Sequence, residues 1–167
     1  MSGALKGVLS ETAKFNALAV LKFGCFLHVM HEYVLEVTMC VGPSMLPTFN
    51  ASGDIVLLER FSPRMAKLQR GDIVVARSPT NAKQTVCKRI KAMEGDEVTV
   101  NNLFKDKMIQ VPKGFLWLEG DNPNNSTDSR HYGPIPTALV TGRVFAKVWP
   151  PTEMCWVEQL ALKKKNK

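Results

Sequence analysis

The sequence lacks the cysteine and histidine spacings that build metal sites. Its 167 residues include four cysteines, none of them in a Cys-x-x-Cys pair: Cys25, Cys40, Cys87 and Cys155. Four scattered cysteines in a chain of this length do not make a disulfide framework. Cys40 and Cys155 are able to pair in an oxidising compartment, although nothing in the sequence requires that they do.

Nucleotide-binding and nucleic-acid-binding patterns are also missing. No Gly-rich phosphate loop and no basic stripe interleaved with aromatic residues occurs, although the net charge of +7 permits contact with anionic surfaces. Part of that charge belongs to a C-terminal run typical of a solvated tail, Lys163, Lys164, Lys165 and Lys167. We therefore expect no metal, no cofactor and no nucleic-acid partner.

No uninterrupted apolar run is long enough to cross a bilayer, which takes about 20 residues. The nearest approach is the stretch 15–30, and extending it to residue 37 supplies the length. Its first interruptions are Asn16, Lys22 and His28. We predict a membrane anchor helix over residues 15–37, preceded by an N-terminal tail over residues 1–14. A helix docked on a soluble domain and a cleaved presequence remain alternatives.

A short proline-bounded segment places a serine in a rigid turn. Residues 42–48 are Gly-Pro-Ser-Met-Leu-Pro-Thr. Pro43 and Pro47 fix φ and remove backbone donors, while Gly42 permits an unusual backbone conformation. The pattern predicts a turn that fixes the position of Ser44; a turn that merely contains a serine is the alternative.

Residues 85–93 are predicted to form a strand that has a lysine on its apolar face. Alternate side chains of a strand share a face, so Val86, Lys88 and Ile90 lie together. A lysine there either extends its ammonium to water or is neutral near neutral pH because desolvation lowers its pKa. A neutral amine can activate a serine, so we predict a catalytic Ser-Lys dyad of Ser44 and Lys88.

A third segment, GDNPNNSTDSR at residues 120–130, combines turn residues with carboxylates, hydroxyls and an arginine. GPSMLPT, the Lys88-Arg89 pair before Glu94-Gly95-Asp96, and GDNPNNSTDSR follow one another in this order. Together they resemble the successive sequence boxes of the type I signal peptidases, roughly over residues 41–150. Within that family the chain is similar to the mitochondrial inner membrane members, and to their subunit 1 type rather than subunit 2.

The resemblance implies supporting roles for residues around the dyad. Ser126 matches the family serine that orients the lysine. Four further residues match positions that form ion pairs near the site, Arg89 with Asp121 and Asp128 with Arg130. For these four a purely structural role in locking the turn is the alternative.

The resemblance also implies how the site binds substrate. The backbone N–H of Ser44 is expected to contribute to the oxyanion site. Many bacterial members have a hydroxyl donor two residues before the nucleophile, where this chain has Gly42, so the second donor is left open. Met45 is expected to pack beneath the nucleophile and to contact substrate, with core packing as the alternative.

Other readings of the same residues remain open. Asp128, His131 and Ser44 can be drawn as a Ser-His-Asp set, but the Arg130 charge beside His131 disfavours an imidazolium. A non-catalytic partner of a protease complex would be marked by loss of Ser44 or Lys88, and both are present. A LexA-like self-cleaving regulator needs a DNA-binding domain before the nucleophile, where only about forty largely apolar residues stand.

Short apolar runs separated by frequent turn signals indicate a mainly β, barrel-like domain. The runs are 54–60, 71–77, 85–93, 97–100, 114–119 and 141–149. The resemblance implies a coiled antiparallel β signal peptidase domain with an N-terminal membrane helix. We place the catalytic domain at residues 38–152. A C-terminal helix, from Cys155 to Leu162, and a basic tail are predicted within residues 153–167.

The resemblance further implies a place and partners for the protein. The place is the mitochondrial inner membrane, with the catalytic domain facing the intermembrane space. The lysines before the apolar segment, Lys6 and Lys14, agree with this orientation. The implied partners are the lipid membrane, a second catalytic subunit in a heterodimer, and imported precursor proteins as substrates. The sequence leaves open which precursors are cut and which residues flank the cleaved bond.

Overall fold

The computed structural model describes residues 2–81, 83–100 and 107–157. Its N-terminal unit, residues 1–35, consists of the helix α1, Ser2–Val29, which a π-helical turn continues over Met30–Val34. Asn16–Val34 is long and apolar enough to cross a membrane by length and composition. The helix therefore begins within the predicted tail, and it ends before residue 37 because an alternating strand pattern starts at Leu35.

The second unit, residues 36–167, is mainly β, as the sequence predicts. Its strands are β1 Leu35–Cys40, β2 Asp54–Glu59, β3 Ile73–Arg77, β4 Thr85–Ala92, β5 Glu97–Val100, β6 Lys107–Gln110, β7 Phe115–Glu119, β8 Ile135–Pro136, β9 Val140–Trp149 and β10 Cys155–Trp156. Two short helices, α2 Phe61–Arg64 and α3 Ser129–Tyr132, interrupt them. The large sheet has the strand order β1-β2-β9-β3-β4-β7-β8, with β10 on β9, and β5 and β6 form a separate hairpin.

Strands β2, β9, β3, β4 and β7 pair antiparallel in the large sheet, which has a packed layer on each face. Strand β3 shows this alternation, because Ile73 and Val75 belong to one apolar cluster and Val74 and Ala76 to the other. Burial of such side chains contributes about 1.5–3 kcal/mol each for the larger ones. The sheet curls, so that the end of β1 meets β4 across the first cluster although three strands separate them in the sheet.

The predicted helix from Cys155 to Leu162 is wrong at its start. Cys155 and Trp156 form β10, which pairs antiparallel with Lys147 and Ala146 of β9. The Pro150-Pro151 turn returns the chain along β9, and the Trp156 ring stacks on Phe145 at 6.0 Å between centroids. Pairing and ring contact outweigh the weak helical pattern of this stretch. Residues 158–167 lie outside the described residues.

Buried ion pairs of one lysine connect β9 with the start of β2 and with the turn before β10. Lys147 on β9 is 4% exposed, and its Nζ lies 3.0 Å from Asp54 and 2.7 Å from Glu153. Burial alone would lower the pKa of Lys147, but its hydrogen bonds to Glu153 and Asp54 raise it. Asn50 donates two further hydrogen bonds to the Asp54 carboxylate, at 2.9 and 3.1 Å. This lysine is therefore charged and structural.

Replacing Lys147 by methionine is expected to destabilise the fold by about 3–5 kcal/mol, because Asp54 is left as an uncompensated buried charge. Denaturant unfolding of the full chain in detergent measures the loss. Glu153→Gln is the matched control, since it removes the half-exposed partner of the same lysine, and we expect a loss below about 1 kcal/mol. Equal effects of the two substitutions would contradict this account of the ion pair.

Candidate active site

The Ser44 turn is held by main-chain atoms. Pro43–Met45 form one turn of 3-10 helix, in which the Leu46 N–H donates to the Pro43 carbonyl at 3.2 Å. Gly42 precedes the turn at φ 111°, a backbone conformation that favours glycine. The Asn122 N–H donates to the Ser44 carbonyl, and the Asn122 side chain donates to the Pro43 carbonyl, both at 3.0 Å.

Gly120 is required for this contact between the turn and the 120–130 loop. A Cβ atom on Gly120 would lie 2.5 Å from the Ser44 carbonyl oxygen and 2.2 Å from the Ser126 hydroxyl. Neither distance is possible between real atoms, and the first involves a fixed backbone oxygen. Only glycine therefore lets the loop approach the nucleophile turn.

Lys88 lies on β4 opposite Val74 of β3 and is 4% exposed. Burial lowers its pKa, the Asp128 charge partly opposes the lowering, and Arg130 reinforces it. Among the residues that the structure describes, no carboxylate forms an ion pair with the Lys88 amine. Lys88 is thus an unpaired buried amine, in contrast to Lys147.

Ser44 and Lys88 line one cavity of about 120 Å³. The cavity lies between the end of β1, the Ser44 turn and the first half of β4, and its wall also includes Cys40, Met45 and Cys87. Half-buried Ser44 and buried Lys88, whose pKa is lowered, therefore border the same small space. The Ser-Lys dyad itself stays a prediction at this point.

Asp128 is the fully buried centre of the loop beside Lys88. Its carboxylate accepts hydrogen bonds from the Gly120 N–H at 2.9 Å and the Ser126 hydroxyl at 2.7 Å. Arg130 donates twice more, from Nε at 2.8 Å and Nη2 at 2.6 Å. Burial alone would raise the pKa of Asp128, but these hydrogen bonds outweigh it and lower the pKa to about 2. The predicted Asp128–Arg130 ion pair is present.

The predicted Arg89–Asp121 ion pair is also present and connects β4 to the same loop. Arg89 donates from Nε at 2.9 Å and from Nη2 at 2.6 Å, in the bidentate geometry that is the stronger form of this contact. Arg89 also donates to the Gly71 carbonyl at 2.7 Å, and Thr48 donates to Asp121. Strand β4, which carries Lys88, and the 120–130 loop, which contacts the Ser44 turn, are thereby fixed to each other.

Ser126 and Met45 are the remaining predicted residues of the site. The Ser126 hydroxyl donates to Asp128, so the lone pairs of its oxygen can accept a hydrogen bond from another donor. Met45 is 2% exposed and belongs to the apolar cluster of Cys40 and Phe49, while also lining the cavity. Met45 is therefore a core residue that forms part of the cavity wall beside Ser44.

The structure does not assemble the Ser-His-Asp alternative. His131 is exposed, and its Nδ1 accepts the backbone N–H of Asp128 at 3.5 Å, as part of a capping box at the start of α3. The Asp128 carboxylate bonds to other groups, so it does not orient the imidazole in the way a triad needs. His131 acts as a helix cap.

Sequence reasoning missed several residues that build the site. Asn122 and Gly120 were assigned only turn roles, because their function depends on a contact with residues nearly eighty positions away. Cys40 and Cys87 carried no signal of proximity. Within the described residues, no cluster of three or more His, Cys, Asp or Glu side chains is placed to bind a metal ion.

Comparison with known proteins gives the same family as the sequence motifs. The family model described as signal peptidase, peptidase S26, matches residues 11–109 and 102–149. A protein named mitochondrial inner membrane protease subunit 1 from Mus musculus is 47% identical over 149 residues, covering 87% of this chain and 88% of that protein. The Homo sapiens protein of the same name is 48% identical with the same coverage.

A signal peptidase I crystal structure from Enterococcus faecalis matches 46% of this chain and 96% of that chain, with 26% identity and a TM-score of 0.40. The family model covers most of the chain, and the two relatives are matched over nearly their whole length. The resemblance to the mitochondrial inner membrane type, subunit 1, is therefore confirmed. The chain belongs to the signal peptidase family, peptidase S26.

Proposed function

We propose that the protein is a membrane-anchored serine endopeptidase that removes sorting peptides from precursor proteins, with Ser44 as nucleophile and Lys88 as general base. One observation carries the proposal: Ser44 and Lys88 line a single cavity, and burial lowers the pKa of the Lys88 amine. Membership of a signal peptidase family supports the reaction type.

In this mechanism neutral Lys88 takes the proton of the Ser44 hydroxyl while the oxygen attacks the scissile carbonyl carbon. The tetrahedral intermediate collapses, the protonated amine gives its proton to the leaving amine, and an acyl-enzyme remains. Lys88 then removes a proton from water, which attacks the ester carbonyl. The protonated amine returns this proton to the leaving Ser44 oxygen, and the product acid is released. Asp128 raises the pKa of Lys88 and Arg130 lowers it. The Ser126 oxygen accepts a hydrogen bond from the Lys88 amine and so orients it.

The oxyanion of the intermediate is assigned to main-chain donors. In the Pro43–Met45 turn the first intrahelical donor is the Leu46 N–H, so the Ser44 N–H has no acceptor within the turn. That N–H is our first oxyanion donor. Gly42 has no hydroxyl to add, and its φ of 111° is the conformational reason why a side chain is absent there. Met45 forms the floor on which the substrate residue beside Ser44 rests.

The relatives suggest where the reaction takes place and with what partners. Their name places them at the mitochondrial inner membrane and calls each a subunit 1, which implies an assembly with at least one further subunit. We extend this to the present chain. The apolar helix Asn16–Val34 anchors it in that membrane, the catalytic unit faces the intermembrane space, and a second catalytic subunit completes a heterodimer that cuts imported precursors.

We expect Ser44→Ala and Lys88→Met each to lower precursor cleavage by about 10⁴-fold or more, because neither group alone activates the nucleophile. His131→Ala is the matched control and keeps cleavage within about threefold, since a helix cap contributes about 1 kcal/mol to stability and nothing to the chemistry. Cleavage of a membrane-tethered precursor by the full chain, assembled with its partner subunit, is the measurement.

The other outcomes of that experiment are equally informative. If Lys88→Met retains cleavage and His131→Ala loses it, the dyad is wrong. If the unmodified chain in the assembled complex cuts no precursor, while its partner subunit does, this chain is the non-catalytic member. Cleavage of the chain itself in place of a precursor would favour the self-cleaving reading.

The pH dependence of cleavage tests the environment of Lys88. Because the reactive form is the neutral amine, kcat/KM rises with pH through one ionisation below the ordinary lysine pKa of about 10.4. Arg130→Gln removes a cation that lowers the Lys88 pKa and exposes Lys88 to the full Asp128 charge that raises it. Both effects move the midpoint of the profile to higher pH.

Arg130→Lys is the control for this shift, because it keeps the positive charge while losing the bidentate geometry. We expect its midpoint to remain closer to that of the unmodified chain. An equal loss of activity at every pH, with no movement of the midpoint in Arg130→Gln, would show that Arg130 is only structural.

A further inference from the structure

Two thiols meet where the curled sheet closes. Cys40 ends β1 and Cys87 lies on β4, and the strands β2, β9 and β3 separate them in the sheet. Cys87 nevertheless packs against the apolar cluster that contains Cys40, the two residues line the same two cavities, and both thiols are free. Contact between two cysteine side chains from distant segments is the first geometric requirement for a disulfide.

The thiol pair is accessible from the catalytic cavity. Cys40 and Cys87 line the same cavity as Ser44 and Lys88. They also line a neighbouring cavity of about 180 Å³, whose wall includes residues 38–41 of β1 and 85–87 of β4.

We propose that Cys40 and Cys87 form a redox-active dithiol site, which small disulfides of the oxidised glutathione class convert into a Cys40–Cys87 disulfide that stops peptide cleavage. Formation of the bond is independent of the peptidase reaction. Its effect on cleavage rests on the proposed function of Ser44 and Lys88. The unused cysteine Cys155 lies on β10 and has no part in this pair.

The chemistry balances without any further reagent. The Cys40 thiolate attacks one sulfur of the small disulfide, which releases one thiolate and leaves a mixed disulfide on Cys40. The Cys87 thiolate then attacks the Cys40 sulfur, so the protein disulfide forms and the second small thiolate leaves. Two electrons pass to the small disulfide, and the two protons of the cysteines end on the two released thiols.

The environments of the two sulfurs suggest this order of attack. The hydrogen bond from Cys87 lowers the pKa of Cys40, whereas the bond to Cys40 and burial raise the pKa of Cys87. The thiolate is the reactive form of cysteine, so Cys40 reacts first and Cys87 resolves the mixed disulfide. The positions of β1 and β4 bring the two thiols together. The difference between their pKa values decides only which thiol attacks first.

The disulfide would distort the catalytic pair because of where its two ends lie. Cys40 is four residues before Ser44 on the segment that leads into the nucleophile turn, and Cys87 directly precedes Lys88. A bond of about 2.05 Å draws the two sulfurs well inside their contact distance. A displacement of about 1 Å between reacting groups can reduce a rate about 100-fold.

A thiol measurement tests the bond itself. The full chain with Cys25→Ser and Cys155→Ser keeps only the cysteines Cys40 and Cys87. It is treated with oxidised glutathione, its remaining thiols are capped with N-ethylmaleimide, and its intact mass is measured by mass spectrometry. We expect no cap on either cysteine and a mass about 2 Da below that of the reduced chain, reversed by dithiothreitol. Two capped thiols, or a glutathione that stays attached, would overturn the proposal.

Two control samples accompany this mass measurement. The unmodified chain is expected to lose two of its four cappable thiols, so the conclusion does not depend on how the double variant folds. Adding Cys40→Ser to the double variant leaves Cys87 alone, and the 2 Da loss is then expected to vanish. A loss that persists without Cys40 would place the bond elsewhere.

Cleavage by the assembled complex tests the consequence, and each variant is compared with itself before and after oxidation. We expect oxidation to lower precursor cleavage by the unmodified chain by about tenfold or more, with recovery in dithiothreitol, and to leave Cys40→Ala, which lacks the attacking thiol, unaffected. A disulfide that forms without any change in cleavage would refute the inhibition. If the reduced unmodified chain does not cleave at all, the peptidase proposal fails, while the mass measurement still decides whether the bond forms.

Discussion

The buried carboxylate of Asp128 is the interaction on which the candidate site depends. It binds the end of β7 through Gly120, the loop through Ser126, and the start of α3 through Arg130. Once these three segments are fixed, Asn122 is held where its two donors reach the Ser44 turn. The same charge contributes to the proton affinity of Lys88, so one group connects the shape of the site with its chemistry.

The two buried lysines of this sheet show how surroundings decide what a lysine does. Lys147 has two carboxylates at hydrogen-bond distance, and its pKa is raised. Lys88 is buried without an ion pair to any residue that the structure describes, and its pKa is lowered. Burial acts to lower the pKa of both lysines. The presence or absence of a direct carboxylate partner therefore determines whether the amine stays charged or is available as a base.

The mainly β fold and most of the strands were predictable because alternating apolar residues between Gly, Pro and Asp turns have a local physical cause. The motifs also predicted both ion pairs near the site. The sequence could not show that β1 closes against β4, since that contact depends on the curl of the whole sheet. It missed β10 for a similar reason: two residues form a strand only because β9 offers them a partner.

Within the site, the same distinction applies. The burial of Lys88 followed from strand alternation, which is local. The roles of Gly120 and Asn122 depended on the approach of a distant turn, and the meeting of Cys40 with Cys87 in place of Cys155 depended on strand order. Hydrogen-bond direction was also beyond the sequence, as the Ser126 hydroxyl donates to Asp128 and His131 caps a helix.

The backbone conformation of Gly42 restricts which residue can precede the Ser44 turn. No atom lies within 4 Å of where its Cβ would be, so a side chain would fit there in volume and be opposed only by the φ of 111°. A residue with a side chain at position 42 therefore needs a different φ, and a change of φ directly before Pro43 redirects the chain that enters the Ser44 turn.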